Sequence, residues 1–109
     1  MLAEKIETVL SRSIANTRPR DFYDIHILYA LRGTECNAKT LLQALERTAN
    51  KRGSHKVLEI YPDIIANIRA SAQLQGFWKK YQRDFDYAKD ISFDDSCDTV
   101  QRIMDSIVE

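Results

Sequence analysis

The sequence predicts an all-α fold, a bundle of five or six helices, and three observations carry that prediction. Apolar residues recur three and four apart in segment after segment, the spacing of one helix face. Three Gly and two Pro in 109 residues are too few for the tight turns of a sheet-rich fold. The links between periodic segments are short, which sets neighbouring helices against one another. One chain of this length makes one domain, residues 1–109, large enough to bury roughly 60–70% of its unfolded surface.

Residues 2–12 form the first predicted helix. Leu2, Ile6, Val9 and Leu10 make one stripe, with Glu4, Lys5, Glu7 and Arg12 off it. No capping residue precedes this helix, as though the chain began inside a longer one. Lys5 reads as solvated, or as paired with Glu4 or a neighbour of Glu7.

Residues 13–18 connect to a second helix that runs to about residue 32 and stops at Gly33. Pro19 suits its first turn, where the missing N–H is no loss and φ is already helical. Phe22, Ile25 and Tyr29 make one stripe, while Ile27, Leu28 and Leu31 cover the opposite side. A helix apolar nearly all round is predicted to be buried among others. His26 lies at the edge of a stripe. With no Cys, His or acidic partner at metal spacing, it reads as a structural histidine, because zinc sites take three or four ligands.

A loop over residues 34–37 leads to a third helix, residues 38 to about 50, with Asn37 as N-cap and Leu41, Leu42, Leu45 and Ala49 inward. Residues 51–56, running from Lys51 and Arg52 through Gly53 to Lys56, read as a basic loop with two uses open to it, contact with a phosphate backbone and, more commonly in a neutral chain, solvation. Residues 57–60 fit either an extended segment or one helical turn. A fourth helix is expected from Tyr61, with Pro62 in its first turn and Ile64, Ile65, Ile68 and Ala72 on its apolar face. Gly76 is expected to break or bend the pattern before Phe77, Trp78 and Tyr81, whose rings share a helix face. Interleaved with Lys79, Lys80 and Arg83, those rings have two readings, stacking on nucleic acid bases and core packing, of which packing is the commoner use. Residues 84–91 are a polar connection. Ser92 and Asp95 then form a capping box with Asp in place of the usual Glu. The last helix turns Phe93, Cys97, Val100, Ile103, Met104 and Ile107 inward.

Lys plus Arg and Asp plus Glu are equal at 16, so net charge points neither to nucleic acid nor to an anionic membrane. No apolar run approaches the roughly 18 residues of a membrane span, and no signal peptide opens the chain. Cys36 and Cys97 lack metal-ligand spacing and read as free thiols of a reducing cytosol. The chain therefore reads as cytoplasmic, with no membrane partner. It also lacks a Gly-rich phosphate loop, an HExxH, a CxxC and a Ser placed beside a base.

Charge gathers instead at the start of the second helix, in Arg18, Arg20, Asp21 and Asp24. Spacing alone gives these residues a structural reading. Acids in a first turn suit the helix macrodipole, and Arg20 with Asp24 is an i,i+4 ion pair. The functional reading places Arg20, Asp21 and Asp24 at the mouth of an apolar groove continued by Leu28 and Leu31.

Leu2-Ala3-Glu4-Lys5 opening an amphipathic helix, then Ser11-Arg12, then Asn16-Thr17-Arg18-Pro19-Arg20-Asp21-Phe22-Tyr23-Asp24-Ile25, together resemble the AbiEii/AbiGii toxin family of nucleotidyltransferases. Arg47-Thr48, the pair Trp78 and Tyr81, Asp86-Tyr87-Ala88 and Ile91-Ser92-Phe93 resemble the C-terminal part of that family, so the likeness spans essentially the whole chain. It implies a helical part that lends a lysine and the acids of an Arg-Asp-x-x-Asp motif to a shared cleft. The other wall would be an N-terminal α/β domain carrying a Gly-Gly-Ser/Thr turn and an Asp-x-Asp metal motif. By that likeness Asp21 and Asp24 are catalytic, and Lys5, Arg18 and Arg20 bind nucleotide phosphate. Mg²⁺ and a nucleoside triphosphate are implied for the full-length enzyme. The family's members act as toxins of toxin–antitoxin or abortive-infection phage-defence systems, and some transfer nucleotides to tRNA. The implied partners are the missing N-terminal nucleotidyltransferase domain, a cognate antitoxin and tRNA.

The Gly-rich turn followed by an Asp-x-Asp metal motif is absent from these residues. The chain is therefore expected to hold no metal and no cofactor of its own, and to be inactive in transfer by itself. It is expected to be a fragment of a longer protein, or the product of a decayed or split gene. The competing expectation is a free-standing helical interaction module without enzymatic activity, a dimer or an antitoxin-binding remnant.

Overall fold

Two helices with the most one-sided apolar stripes organise the bundle. The computed structural model describes residues 2–16, 18–32 and 37–108, with Arg32 in its backbone only. These residues form six α-helices: α1 (Leu2–Arg12), α2 (Pro19–Arg32), α3 (Ala38–Arg52), α4 (Val57–Ala70), α5 (Ala72–Asp84) and α6 (Phe93–Val108). Single 3₁₀ turns at Ser13–Ala15 and Asp86–Ala88 complete the described structure, and no strand is found among the described residues. The fold is all-α, as the periodicity predicts.

Each of α2, α3 and α4 packs against both α1 and α6, while α5 lies on α2 and α4. From α1, Ile6, Val9 and Leu10 are sealed in the core. The inward residues of α6 (Phe93, Cys97, Val100, Ile103, Met104 and Ile107) are all buried. Trp78 of α5 is buried as well, edged by Tyr81 and Phe93, and its indole N–H donates to the Ile91 carbonyl at 2.9 Å. Core packing is thus the use made of Trp78. Burial pushes the Cys97 thiol up to about 12, so it stays a neutral core group.

Capping follows the side chains. The Asn37 carboxamide oxygen accepts from the backbone N–H of Lys39 and Thr40 at the start of α3. Ser92 and Asp95 exchange hydrogen bonds of 3.2 and 2.9 Å at the start of α6, the reciprocal capping box.

Four details differ from the sequence reading. Pro62 stands in the second turn of α4, because the carbonyls of Ser54, His55 and Lys56 already hold the N–H groups of Val57, Leu58 and Glu59. Val57 is buried, which draws the helix start back to it. Gly76 does not break α5, which runs through it; the break lies at Ser71, whose extended backbone ends α4 and whose hydroxyl caps α5 through Leu74 N–H. Ala72 consequently opens α5 and is exposed. Third, α3 continues through Lys51 and Arg52 to Gly53, whose φ of 72° supplies the left-handed cap that glycine adopts without strain. Fourth, α2 buries only Phe22 and Ile25 fully; Ile27, Leu28 and Tyr29 are half-buried and Leu31 is 73% exposed. Its partners α1, α5 and α6 seal Phe22 and Ile25 and cover the opposite stripe only in part. The helix stop at Gly33 and the thiol of Cys36 lie outside the described residues.

Candidate functional site

The link between α1 and α2 builds the site. Ser13 turns the chain with a positive φ of 48°, a conformation that costs a non-glycine residue roughly 1 kcal/mol. Asn16 is 1% exposed and holds the start of α2 from within. Its side-chain oxygen accepts from Arg18 N–H at 3.0 Å, and its amide donates to Asp21 Oδ2 at 3.4 Å. Pro19 keeps Arg18 out of the helical conformation, so the Arg18 side chain leaves the body of the protein beside α1 and is exposed.

Across this link Lys5 Nζ of α1 meets Asp24 Oδ2 of α2 at 2.9 Å, and Arg20 Nε approaches the same oxygen at 3.8 Å. Lys5 and Asp24 are half-buried, with side chains 31% and 24% exposed, whereas Arg20 stands in solvent. A pair this open contributes about 1 kcal/mol or less to stability. Lys5, Arg18, Pro19, Arg20, Asp21, Asp24 and Tyr81 line one cleft of about 480 Å³. The five residues singled out by resemblance, Lys5, Arg18, Arg20, Asp21 and Asp24, are therefore brought together by the fold. Arg18 has no ion-pair partner among the described residues, and neither has Arg12.

Three contributors were missed in the sequence. Tyr81 of α5 forms a wall of the cleft, and burial, the Tyr87 hydroxyl beside it and the Asp24 charge together raise its pKa well above the usual phenol range. It remains a neutral hydrogen-bonding group. Asn16, two residues before an Arg-Pro step, carries an Asx-turn signature that could have revealed its role. Glu7 stands at a position between Ala3 and Leu10 on the buried side of α1 and is 2% exposed, with Arg52 Nη1 at 2.5 Å and Ser54 Oγ at 2.8 Å. The sequence reading sets Glu7 off the apolar stripe of α1; the structure buries it there because Arg52 and Ser54 satisfy its carboxylate. Glu7, Arg52, Ser54 and Arg12 line a second cleft of about 710 Å³ that shares Lys5, Arg18 and Asp21 with the first.

The acids do not form a metal site. Asp24 is committed to two cations and Asp21 to the Asn16 amide, and no three His, Cys, Asp or Glu among the described residues come together as ligands. Asp84 and Asp86 have Asp-x-Asp spacing, but they are exposed at the end of α5 with no Gly-rich turn before them. His26 Nδ1 lies 2.7 Å from Thr99 Oγ1, a structural contact between α2 and α6. Among the described residues no helix is long and apolar enough to cross a membrane. What the cleft can do is hold an anion: its exposed guanidinium groups and a carboxylate-steadied lysine face one space.

The family model described as the nucleotidyl transferase AbiEii toxin of a type IV toxin–antitoxin system matches residues 1–102. Neither the curated proteins nor the solved structures compared with the chain contain a match.

Proposed function

This chain belongs to the AbiEii family of nucleotidyl transferase toxins, and we propose that it is the helical side of a nucleotidyltransferase cleft in a toxin–antitoxin system. In this reading Lys5, Arg18 and Arg20 bind the phosphates of a nucleoside triphosphate, and Asp21 and Asp24 act at the same cleft. The observation that carries it is the Lys5–Asp24 pair, which joins residues 19 apart in sequence inside a cleft walled by Arg18 and Arg20.

In such a transfer an acceptor hydroxyl attacks the α-phosphorus, and the bond to pyrophosphate breaks. Negative charge spreads over the phosphate oxygens as it does so. Lys5 and the two arginines counter that charge, and Asp24 holds the Lys5 ammonium at the cleft before a ligand arrives. Because Asp24 takes both cations on one oxygen, Lys5 and Arg20 can each turn toward a phosphate while keeping the carboxylate as neighbour. Magnesium belongs to the chemistry of a triphosphate; among the described residues the donors do not gather to fit it, and this reading assigns it to an N-terminal domain or a separate polypeptide. A cytoplasmic setting, an antitoxin partner and a tRNA acceptor are consistent with this reading.

The test compares the chain with a fusion that places a Gly-Gly-Ser/Thr and Asp-x-Asp domain ahead of Leu2. With Mg²⁺, labelled nucleoside triphosphates and tRNA, the chain alone is expected to show no transfer and the fusion to show it. Lys5→Ala and Asp24→Ala in the fusion are each expected to abolish transfer with helicity unchanged. Robust transfer by the chain alone overturns the reading. Unchanged transfer in both variants returns these residues to ordinary surface charges and favours the interaction module.

A further inference from the structure

A shelf of aromatic rings beside the cleft is unused by the chemistry above. Phe85 and Tyr87 are 43% and 53% exposed. They are not loose: Tyr87 lies 4.7 Å from Tyr23 and Phe85 lies 4.8 Å from Tyr81, centroid to centroid, and the two outer rings are 5.4 Å apart. The inner rings support the outer ones, since Tyr81 is buried and Tyr23 half-buried. Tyr81 is also a wall of the Lys5–Asp24 cleft, and its hydroxyl sits 2.8 Å from that of Tyr87. The ring layer and the cationic cleft therefore meet at one residue.

A ligand that satisfies both halves is flat and aromatic at one end and polyanionic at the other. We propose that the Phe85–Tyr87 shelf takes the base of a nucleoside triphosphate whose phosphates lie on Lys5, Arg18 and Arg20, an inference that rests on the function proposed above. Charge sets the direction. Asp84 and Asp86 flank Phe85 in the chain and are exposed, so they repel phosphate and leave the base at the shelf, with the phosphates on the arginine side. An open ring layer stacks any base, so it supplies affinity more than choice among bases. Of the rings the sequence offered for stacking, Trp78 and Tyr81 are buried and Phe77 is half-buried, and Tyr81 instead buttresses the two that stack.

The 109-residue chain is titrated with ATP, UTP and, in parallel, tripolyphosphate, followed by calorimetry and by NMR of the ring and Lys/Arg side-chain resonances. Both nucleotides are expected to bind about tenfold more tightly than tripolyphosphate and to shift the Tyr87 and Phe85 rings, which tripolyphosphate leaves unmoved. Tyr87→Ala is expected to bring nucleotide affinity down to that of tripolyphosphate, whose own affinity stays unchanged. Tyr87→Phe, which keeps the ring, is expected to retain wild-type affinity. Equal binding of nucleotide and tripolyphosphate, or nucleotide affinity untouched by Tyr87→Ala, overturns the shelf while leaving the phosphate cleft in place. Absence of any shift at Lys5, Arg18 and Arg20 with all three ligands overturns the shelf and the cleft together.

Discussion

Lys5 and Glu7 stand two residues apart on α1, each meets an opposite charge far along the chain, and the two pairs are built oppositely. Glu7 is closed in, with one oxygen held by Arg52 and the other by Ser54, and Arg52 also reaches Thr8 Oγ1 at 3.2 Å. Asp24, which Lys5 meets, shares a single oxygen between two cations; its other oxygen has no protein partner among the described residues. A buried carboxylate with every position filled cannot exchange partners without stranding a charge, which is costly. A half-exposed pair with a free position exchanges cheaply, because water and screening have already weakened it. The first arrangement fastens α1 to the end of α3, and the second keeps a cation ready for an incoming anion.

Breaking the closed pair is expected to have the largest effect. Arg52→Ala leaves Glu7 charged and unpaired in its pocket, and because Arg52 is itself half exposed the loss belongs at the low end for such pairs, about 3 kcal/mol. It is read as a lowered urea midpoint at unchanged slope; a loss below about 1 kcal/mol would place Glu7 in the same class as Asp24. Lys5→Ala is expected to cost about 1 kcal/mol or less while weakening tripolyphosphate binding about tenfold, the scale of a lost charged hydrogen bond. Asp24→Asn sharpens the contrast, since it removes the competing carboxylate and should tighten tripolyphosphate binding. The smallest effect calibrates the others. Gly76→Ala, where an added Cβ meets nothing within 4 Å, is expected to stabilise the chain by about 0.5–1 kcal/mol through helix propensity alone.

The helices were legible wherever periodicity and a cap coincided, as at Asn37 and at Ser92 with Asp95. They were misjudged where a local signal met a stronger tertiary one. Pro62 marks a helix start by habit, but burial of Val57 extends α4 back past it. Gly76 marks a break by habit, but Trp78 and Leu74 bury the same face on either side of it and carry the helix through. Arg52 read as a solvated loop residue because its partner lies 45 positions earlier, a distance no local pattern spans. The cleft was legible only as a cluster around the start of α2, joined to Lys5 by resemblance. Tyr81 and the outer rings Phe85 and Tyr87 were not, since the packing of α5 against α2, rather than any spacing within a motif, brings Tyr81 to Asp24, and contacts with Tyr81 and Tyr23 hold the outer rings beside it.

The hydrogen bond from Trp78 to the Ile91 carbonyl has an optical consequence. Gln82 Nε2 donates to the same carbonyl at 2.7 Å, so two side chains of α5 pin the far end of the stretch that presents Phe85 and Tyr87. The chain has one tryptophan, and its indole is one of those two pins. Its emission is therefore a built-in gauge of the shelf. Blue-shifted, poorly quenched light reports rings in place, and a red shift with far-UV dichroism unchanged reports that the shelf has lifted while the helices stand.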